Sequence, residues 1–141
     1  MQAQILNLLQ DLQREFNLAM IFVAHDLSVV EHVSDRVAVM YVGRSSRPPD
    51  RGTLSQAAAP YTEALLSAVS EPDPDRHKTR LILPGEVANP AAPPSGCYFH
   101  LRCCYAEAKC RRRAGVARGH RRSHFARCHF AGQLDLKGVA A

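Results

Sequence analysis

The sequence predicts an α/β fold that is followed by a loop-rich, cysteine-containing C-terminal extension. Two short apolar runs, residues 19–24 and 36–42, are rich in Ile and Val and are separated by a helical pattern. A further amphipathic pattern precedes them, so the order is helix, strand, helix, strand. This alternation is typical of a parallel sheet with crossover helices. All nine prolines and all five cysteines lie beyond residue 45.

The first element is an amphipathic helix over residues 2–16. Its apolar side chains recur at spacings of three and four, as in Ile5, Leu9, Leu12 and Phe16. Asn17 follows as a helix stop, because Asn tolerates the left-handed backbone conformation in which helices commonly end. Residues 19–24 are then short and apolar enough for a strand buried on both faces.

The second half of this block is a short helix over residues 26–34 and a strand over 36–42. Asp26 or Ser28 is expected to cap the helix, whose inner face contains Leu27, Val30 and Val33. His25 ends the first strand, and a polar ring at the carboxyl end of a strand lies where open α/β sheets bind ligands. Two parallel strands without neighbours leave unpaired edges, so this block is not expected to fold well alone.

The next segment, residues 46–96, reads as a proline-rich connector with one helix. Pro60 suits the first turn of a helix over about 60–69. Four residues of that helix are expected on one side: Ala64, Leu65, Ala68 and Val69. Residues 71–94 contain six prolines and are expected to be loop. The cysteine-rich extension covers residues 97–130, and residues 131–141 are expected to form a disordered tail.

The net charge of +5 originates mainly in the extension, where seven arginines fall within seventeen residues without an acidic neighbour. They are Arg111, Arg112, Arg113, Arg118, Arg121, Arg122 and Arg127. Such a run is usually a solvated cationic face, although it also suits phosphates or an anionic membrane surface. No apolar run approaches the roughly twenty residues of a membrane span, and no secretory signal is recognisable. A cytosolic location is therefore expected.

The cysteines suggest a metal site whose type the residues leave open. Cys97, Cys103, Cys110 and Cys128 lack the paired knuckles of a zinc ribbon, and Cys104 is a fifth thiol. Four thiolates suit either Zn²⁺ or an iron–sulfur cluster. Three nearby histidines keep a mixed Cys/His zinc site open, namely His100, His124 and His129. Reduced thiols without metal are the simpler alternative, and disulfides are disfavoured in the cytosol.

Several segments together resemble the ATP-binding subunits of oligopeptide/dipeptide ABC transporters. The end of the ATPase domain is similar to Gln2-Ala-Gln-Ile-Leu-Asn-Leu-Leu, Ile21-Phe-Val-Ala-His-Asp-Leu-Ser-Val-Val and Ser34-Asp-Arg-Val-Ala-Val-Met-Tyr-Val-Gly-Arg. The C-terminal extension of this branch is similar to Pro60-Tyr-Thr-Glu-Ala-Leu-Leu-Ser-Ala-Val, Pro84-Gly-Glu and Pro93-Pro-Ser-Gly-Cys-Tyr-Phe-His-Leu-Arg-Cys. The resemblance covers residues 2–130. It implies that residues 1–45 are part of an ABC-type nucleotide-binding domain with a mainly parallel sheet.

The resemblance also implies roles for particular residues. His25 corresponds to the switch histidine that contacts the γ-phosphate of ATP. Several similar ATPases carry a [4Fe-4S] cluster, and the ligands map onto Cys97, Cys103, Cys110 and Cys128. The implied partners are a paired ATPase subunit and transmembrane permease subunits, at the inner face of the plasma membrane. The implied work of a complete homologue is ATP-driven uptake of peptides.

The chain departs from this family in its catalytic motifs. Residues 1–141 contain no phosphate loop, glutamine loop, signature motif or Walker B carboxylates, which hold ATP and Mg²⁺ in the family. We therefore expect a truncated subunit that is inactive toward ATP on its own. Ala59 and the stretch Ser45-Ser46-Arg47 also differ from the family pattern.

Two other classes of function stay open from the residues. One is a small metal or iron–sulfur accessory module that associates with a partner ATPase. The other is a basic nucleic-acid-binding tail, although the arginine-rich segment has only Phe125 and Phe130 near its end for base stacking. We expect no specific nucleic acid to bind.

Overall fold

The computed structural model describes residues 2–45, 59–69, 80–115, 117–121 and 124–136. It divides into two compact units, Met1–Asp35 and Arg36–Ala141. Residues 46–58 and 70–79 of the predicted connector and residues 137–141 of the predicted tail lie outside the described residues. Among the helices that the structure describes, none is both long and apolar enough to cross a membrane.

The first unit consists of two helices, and both were predicted. Helix α1 covers Gln2–Phe16, and Asn17 follows it with a φ of 49°, which confirms the predicted left-handed stop. Helix α2 covers Leu27–Val33 and begins after Asp26. The Asp26 carboxylate accepts hydrogen bonds from the backbone N–H groups of Ser28 and Val29, at 3.0 and 3.4 Å. Asp26 is therefore the N-cap.

The predicted strand over residues 19–24 is wrong for this unit. These residues have no regular secondary structure and are exposed. Ile21 and Val23 are 96% and 91% exposed. A strand exists only when a neighbour accepts and donates its backbone hydrogen bonds, and no described residue of the chain pairs with this segment. The residues have the composition of a buried strand, yet they lack the sheet that would bury them.

The second predicted strand, over residues 36–42, is reduced to a short hairpin. Strand β1 covers Met40–Tyr41 and pairs in antiparallel register with strand β2, Arg44–Ser45. The two turn residues, Val42 and Gly43, both have positive φ, 46° and 69°. Positive φ at both central residues is the feature of the tight turns that join antiparallel strands. The predicted parallel pairing is therefore wrong for the described residues.

Helix α3 covers Pro60–Ser67 with Pro60 in its first turn, which confirms the predicted start. The predicted inner face is only partly right. Its buried residues are Pro60, Glu63, Ala64 and Ser67, whereas Leu65 and Val69 are half-buried and Ala68 is exposed. Residues 80–94 have no helix or strand, so the loop prediction is confirmed for the described part of 71–94.

The extension is mainly turns around one short helix and one hairpin. Helix α4 covers Ala108–Arg112. Strand β3, Ala117–Arg121, pairs in antiparallel register with strand β4, His124–Arg127. Among the described residues of this unit, few apolar ones are buried: Pro60, Ala64, Phe99, Cys110 and Ala126. Both described sheets have only two strands, so mixed helices and strands are confirmed but a mainly parallel sheet is not.

Candidate functional site

His25 lies on a bend directly before the cap of helix α2, and its side chain is exposed. The bend positions the imidazole because Asp26 must leave the helical conformation in order to cap α2. The structure therefore presents His25 to solvent at the N-terminal end of a helix. It does not present His25 at the end of a strand, as the sequence predicted.

The cysteine-bearing segment is organised by backbone hydrogen bonds. The N–H of Cys97 donates to the carbonyl of Cys110 at 2.8 Å, which connects the start of the extension to helix α4. Tight turns follow Cys97 and Cys103, where the N–H groups of His100 and Ala106 donate back to the cysteine carbonyls at 3.0 and 3.2 Å. These turns hold three predicted ligand positions in one compact region.

Gly96 is required for the approach of these two segments. Its φ is +74°, and a Cβ at this position would collide with the carbonyl oxygen of Cys110 and lie 2.7 Å from the backbone of Arg111. Glycine alone combines a left-handed backbone with room for another chain to approach so closely. The Ser95 hydroxyl adds a hydrogen bond to the Arg111 carbonyl at 3.1 Å.

Four of the five thiols are withdrawn from solvent, since Cys110 is buried and Cys97, Cys103 and Cys128 are half-buried, whereas Cys104 is exposed. Burial raises the pKa of Cys97, Cys103 and Cys128, and it raises that of Cys103 to about 12. The cause is the cost of placing a thiolate in a poorly solvated site. All five thiols are free of disulfides.

The four predicted ligands also influence one another electrostatically. The charges of Cys97 and Cys110 add to the raised pKa of Cys128, and the charges of Cys97 and Cys128 add to that of Cys103. The charge of Cys104 also adds to the raised pKa of Cys103. All five thiols therefore lie within reach of one another's charge, although Cys104 is exposed. In donor chemistry the set suits a soft metal.

The four predicted ligand cysteines are not arranged as a metal centre in the described residues. Within the described ranges, no group of three or more His, Cys, Asp or Glu side chains is placed to hold a metal ion. Two of the predicted histidines face backbone carbonyls: Nδ1 of His100 lies 2.8 Å from the Cys97 oxygen, and Nε2 of His129 lies 2.8 Å from the Arg113 oxygen. Because a carbonyl only accepts, each of these nitrogens carries the proton.

An aromatic cluster that the sequence alone did not reveal includes Phe99 of the cysteine-bearing segment. The rings of Tyr41, Tyr61 and Phe99 lie with centroids 4.8 to 5.3 Å apart. Tilted and edge-on contacts of this kind stabilise a small core. Burial raises the pKa of Tyr61, and the charge of Tyr41 adds to the effect. The hairpin β1–β2, helix α3 and the extension thus share one packing centre.

Glu63 is the other feature that sequence reasoning missed. It is fully buried in helix α3, and the Tyr105 hydroxyl donates a hydrogen bond to its Oε1 at 3.1 Å. A signal was present in the sequence, because Glu63 shares a helical face with Pro60, Ala64 and Ser67 at spacings of one turn. Its polarity nevertheless favoured an exposed position.

Comparisons with known proteins find that the chain is similar to components of transporters. The family model for the oligopeptide/dipeptide transporter C-terminal region matches residues 49–110. The probable peptide ABC transporter ATP-binding protein y4tS of Sinorhizobium fredii is 54% identical over 111 residues, which are 78% of this chain and 31% of that protein.

Two oligopeptide transport ATP-binding proteins OppF are also similar. The Haemophilus influenzae protein is 45% identical over 130 residues, which are 90% of this chain and 39% of that protein. The Escherichia coli protein is 49% identical over 124 residues, which are 84% of this chain and 36% of that protein. The chain therefore spans about a third of the length of the relatives it matches.

Proposed function

We propose that the chain serves as the C-terminal part of an oligopeptide/dipeptide ABC transporter ATP-binding subunit. The observation that carries this proposal is the family match over residues 49–110, together with identities of 45–54% to named transport ATPases. The activity of the complete protein is the import of peptides driven by ATP hydrolysis. The partners are a second ATPase subunit and membrane permease subunits, at the cytoplasmic face of the membrane.

In this function His25 contacts the γ-phosphate of an ATP that other residues of the ATPase hold. Its exposed position on the bend before helix α2 supports the assignment, because the imidazole is accessible to a ligand from outside this unit. A positioned N–H donor stabilises the charge that spreads over the phosphoryl oxygens during transfer. His25 alone supplies neither the phosphate cradle nor the Mg²⁺ ligands, so residues 1–141 require the remaining ATPase motifs for hydrolysis.

Reconstitution tests this role. The full chain is mixed with a polypeptide that carries the phosphate loop, signature motif and Walker B segment of a relative, and Mg²⁺-dependent ATP hydrolysis is measured. The mixture is expected to hydrolyse ATP, whereas either polypeptide alone is not. His25→Ala should lower the rate by about two orders of magnitude, the usual effect of losing one transition-state donor.

His32→Ala is the matched control, because His32 is also an exposed histidine of the same unit. The proposal for His25 fails if both variants hydrolyse ATP at the rate of the unmodified mixture. A clear ATPase rate from the chain by itself would contradict the expectation that the other motifs are required.

As a second component of the function, we propose that Cys97, Cys103, Cys110 and Cys128 bind a [4Fe-4S] cluster or Zn²⁺. Their shared electrostatic environment supports this, although the thiols must move closer to form a ligand set, since none is arranged in the described residues. Iron and zinc content and visible absorbance after anaerobic purification separate the two metals. Cys110→Ser should abolish the metal content, whereas Cys104→Ser, at the exposed thiol, should leave it unchanged.

A further inference from the structure

Three contacts hold helix α4 against the end of strand β4 and the residues after it. The ammonium of Lys109 lies 3.5 Å above the ring of Phe130, and the His129 ring donates to the Arg113 carbonyl at 2.8 Å. The third contact is a close backbone approach at Gly115. A Cβ at Gly115 would lie 3.1 Å from the backbone of Arg127. Two stretches that are separated in sequence thus meet at a fixed surface.

Four exposed arginines belong to these two stretches. Arg111, Arg112, Arg113 and Arg127 are all exposed, and we call these four residues the basic face. No salt bridge of the described residues involves any of them. Their guanidinium groups therefore carry full charge into solvent, where a polyanion can reach them.

The surrounding sequence reinforces the charge of the basic face. Residues 108–134 contain eight of the eighteen Lys and Arg residues of the chain and no Asp or Glu. The remainder of the chain consequently has more acidic than basic residues. A stretch of sequence with this excess of positive charge is attracted to a negatively charged surface.

We propose that the basic face binds the phosphate groups of anionic membrane lipids and so orients the extension against the bilayer. The proposal rests on the proposed function, which brings the chain to the membrane through permease subunits. Arginine suits this ligand because its planar guanidinium donates two parallel hydrogen bonds to a phosphate. Clusters of four to eight basic residues at a membrane surface are typical of recognition of acidic lipids.

The aromatic residues favour a lipid surface over a single-stranded nucleic acid. Single-stranded nucleic acids need exposed rings on which bases stack. Among the described residues of 95–136, each Phe and Tyr is buried or half-buried, and Lys109 already covers the ring of Phe130. The basic face thus offers charge without stacking, which matches a lipid headgroup.

Sedimentation with vesicles tests the proposal on the full chain. Vesicles of phosphatidylcholine with a minor fraction of phosphatidylglycerol are compared with vesicles of phosphatidylcholine alone, at low and at physiological ionic strength. Binding is expected only to the anionic vesicles and is expected to weaken with salt. Arg111→Gln with Arg112→Gln should lower the partition coefficient about 25-fold, since each arginine near such a surface contributes about fivefold.

The matched control is Arg14→Gln with Arg80→Gln, two exposed arginines outside the basic face that remove the same charge. Circular dichroism confirms that both pairs fold as the unmodified chain does. The proposal is overturned if the control pair weakens binding equally or if neutral vesicles bind equally well. It is also overturned if millimolar inorganic phosphate displaces the chain, or if duplex DNA binds more tightly than the vesicles.

The ATPase reconstitution separates the two proposals. If the Arg111→Gln, Arg112→Gln pair loses vesicle binding but supports hydrolysis in the reconstituted mixture, both the lipid surface and the ATPase role stand. If anionic vesicles do not bind while hydrolysis is restored, only the lipid proposal is wrong.

Discussion

The hydroxyl of Tyr105 donates a hydrogen bond to Oε1 of Glu63, 3.1 Å away, across 42 residues of sequence. The Glu63 side chain is completely buried, so the bond joins helix α3 to the cysteine-bearing segment in a poorly solvated place. The same hydroxyl lies 3.5 Å from the carbonyl oxygen of Asp135. One tyrosine therefore connects three segments that local structure leaves separate.

Tyr105→Phe should lower the free energy of unfolding by about 1–3 kcal/mol, because it removes a hydrogen bond from a buried polar group. Urea denaturation monitored by circular dichroism measures the change. Tyr98→Phe is the control, since the Tyr98 hydroxyl accepts an exposed hydrogen bond from Arg44 at 2.8 Å. Its cost should be below about 1 kcal/mol, because exposed polar groups exchange their partners with water. If the two variants lower the free energy of unfolding equally, the burial of Glu63 does not determine how much the Tyr105 hydrogen bond contributes to stability.

Gly96→Ala should destabilise the extension more than Gly85→Ala does. A Cβ at residue 96 meets the backbone of helix α4 at 2.7 Å, and the backbone cannot rotate away as a side chain would. The left-handed φ adds a cost of about 1–2 kcal/mol for a non-glycine residue. Gly85→Ala separates the two effects, because its φ is +66° and nothing lies within 4 Å of the added Cβ.

Thermal unfolding of the two glycine variants gives the comparison. For Gly85→Ala the free energy of unfolding should fall by about 1–2 kcal/mol, because only the backbone conformation is strained. For Gly96→Ala it should fall by clearly more. If the two variants unfold at the same temperature, the close approach of residues 96 and 110 does not contribute to stability.

Asp26→Ala should destabilise helix α2 by about 1 kcal/mol, since the carboxylate satisfies two N–H groups that the first turn leaves free. The loss should appear as a lower helical signal in circular dichroism, because seven residues form a helix only with such support. Asp35→Ala, at an exposed position after the helix, removes the same charge without a cap. A helical signal that falls equally in both variants would contradict the cap as the cause.

Local signals in the sequence predicted local structure well. The stop at Asn17, the cap at Asp26 and the start at Pro60 each depend on a residue and its immediate neighbours. Pairing of strands depends on partners elsewhere, and this is why residues 19–24 have no regular structure in spite of their apolar composition. Val42 and Gly43 redirected the second predicted strand into a hairpin because both adopt positive φ.

For the candidate site too, the sequence predicted local features but not the contacts between distant residues. The family resemblance singled out four cysteines, and the fold brings their thiols within reach of one another's charge. Neither the resemblance nor the spacing specifies whether these thiols reach ligand distance. The Glu63–Tyr105 bond lies beyond sequence reasoning for a similar reason. Neither residue has a neighbour in sequence that reveals a partner 42 positions away.

The stability of the metal-free chain should fall as pH rises from about 9 to about 12, because the pKa of Cys103 is raised from 9.0 to about 12 in the folded state. Below pH 9 the thiol is protonated in both states and contributes no pH dependence. Above pH 9 the unfolded chain releases the proton while the folded chain retains it, so deprotonation favours unfolding. Burial is the main cause of the raised pKa, and the raised pKa values of Cys97 and Cys128 act in the same direction.

Urea midpoints near neutral pH and at about pH 10.5 measure this loss of stability. Cys103→Ala should make the midpoint fall less with pH. Cys104→Ala, at the exposed thiol, should keep most of the dependence, because burial is the largest cause of the raised pKa of Cys103 and the charge of Cys104 only adds to it. Alkylation followed by mass spectrometry gives a second measurement, since thiolate is the reactive form. Cys104 should react first near neutral pH, and Cys103 should react about tenfold faster for each pH unit up to its pKa. A midpoint that stays constant up to pH 11 would contradict the buried, protonated state of Cys103.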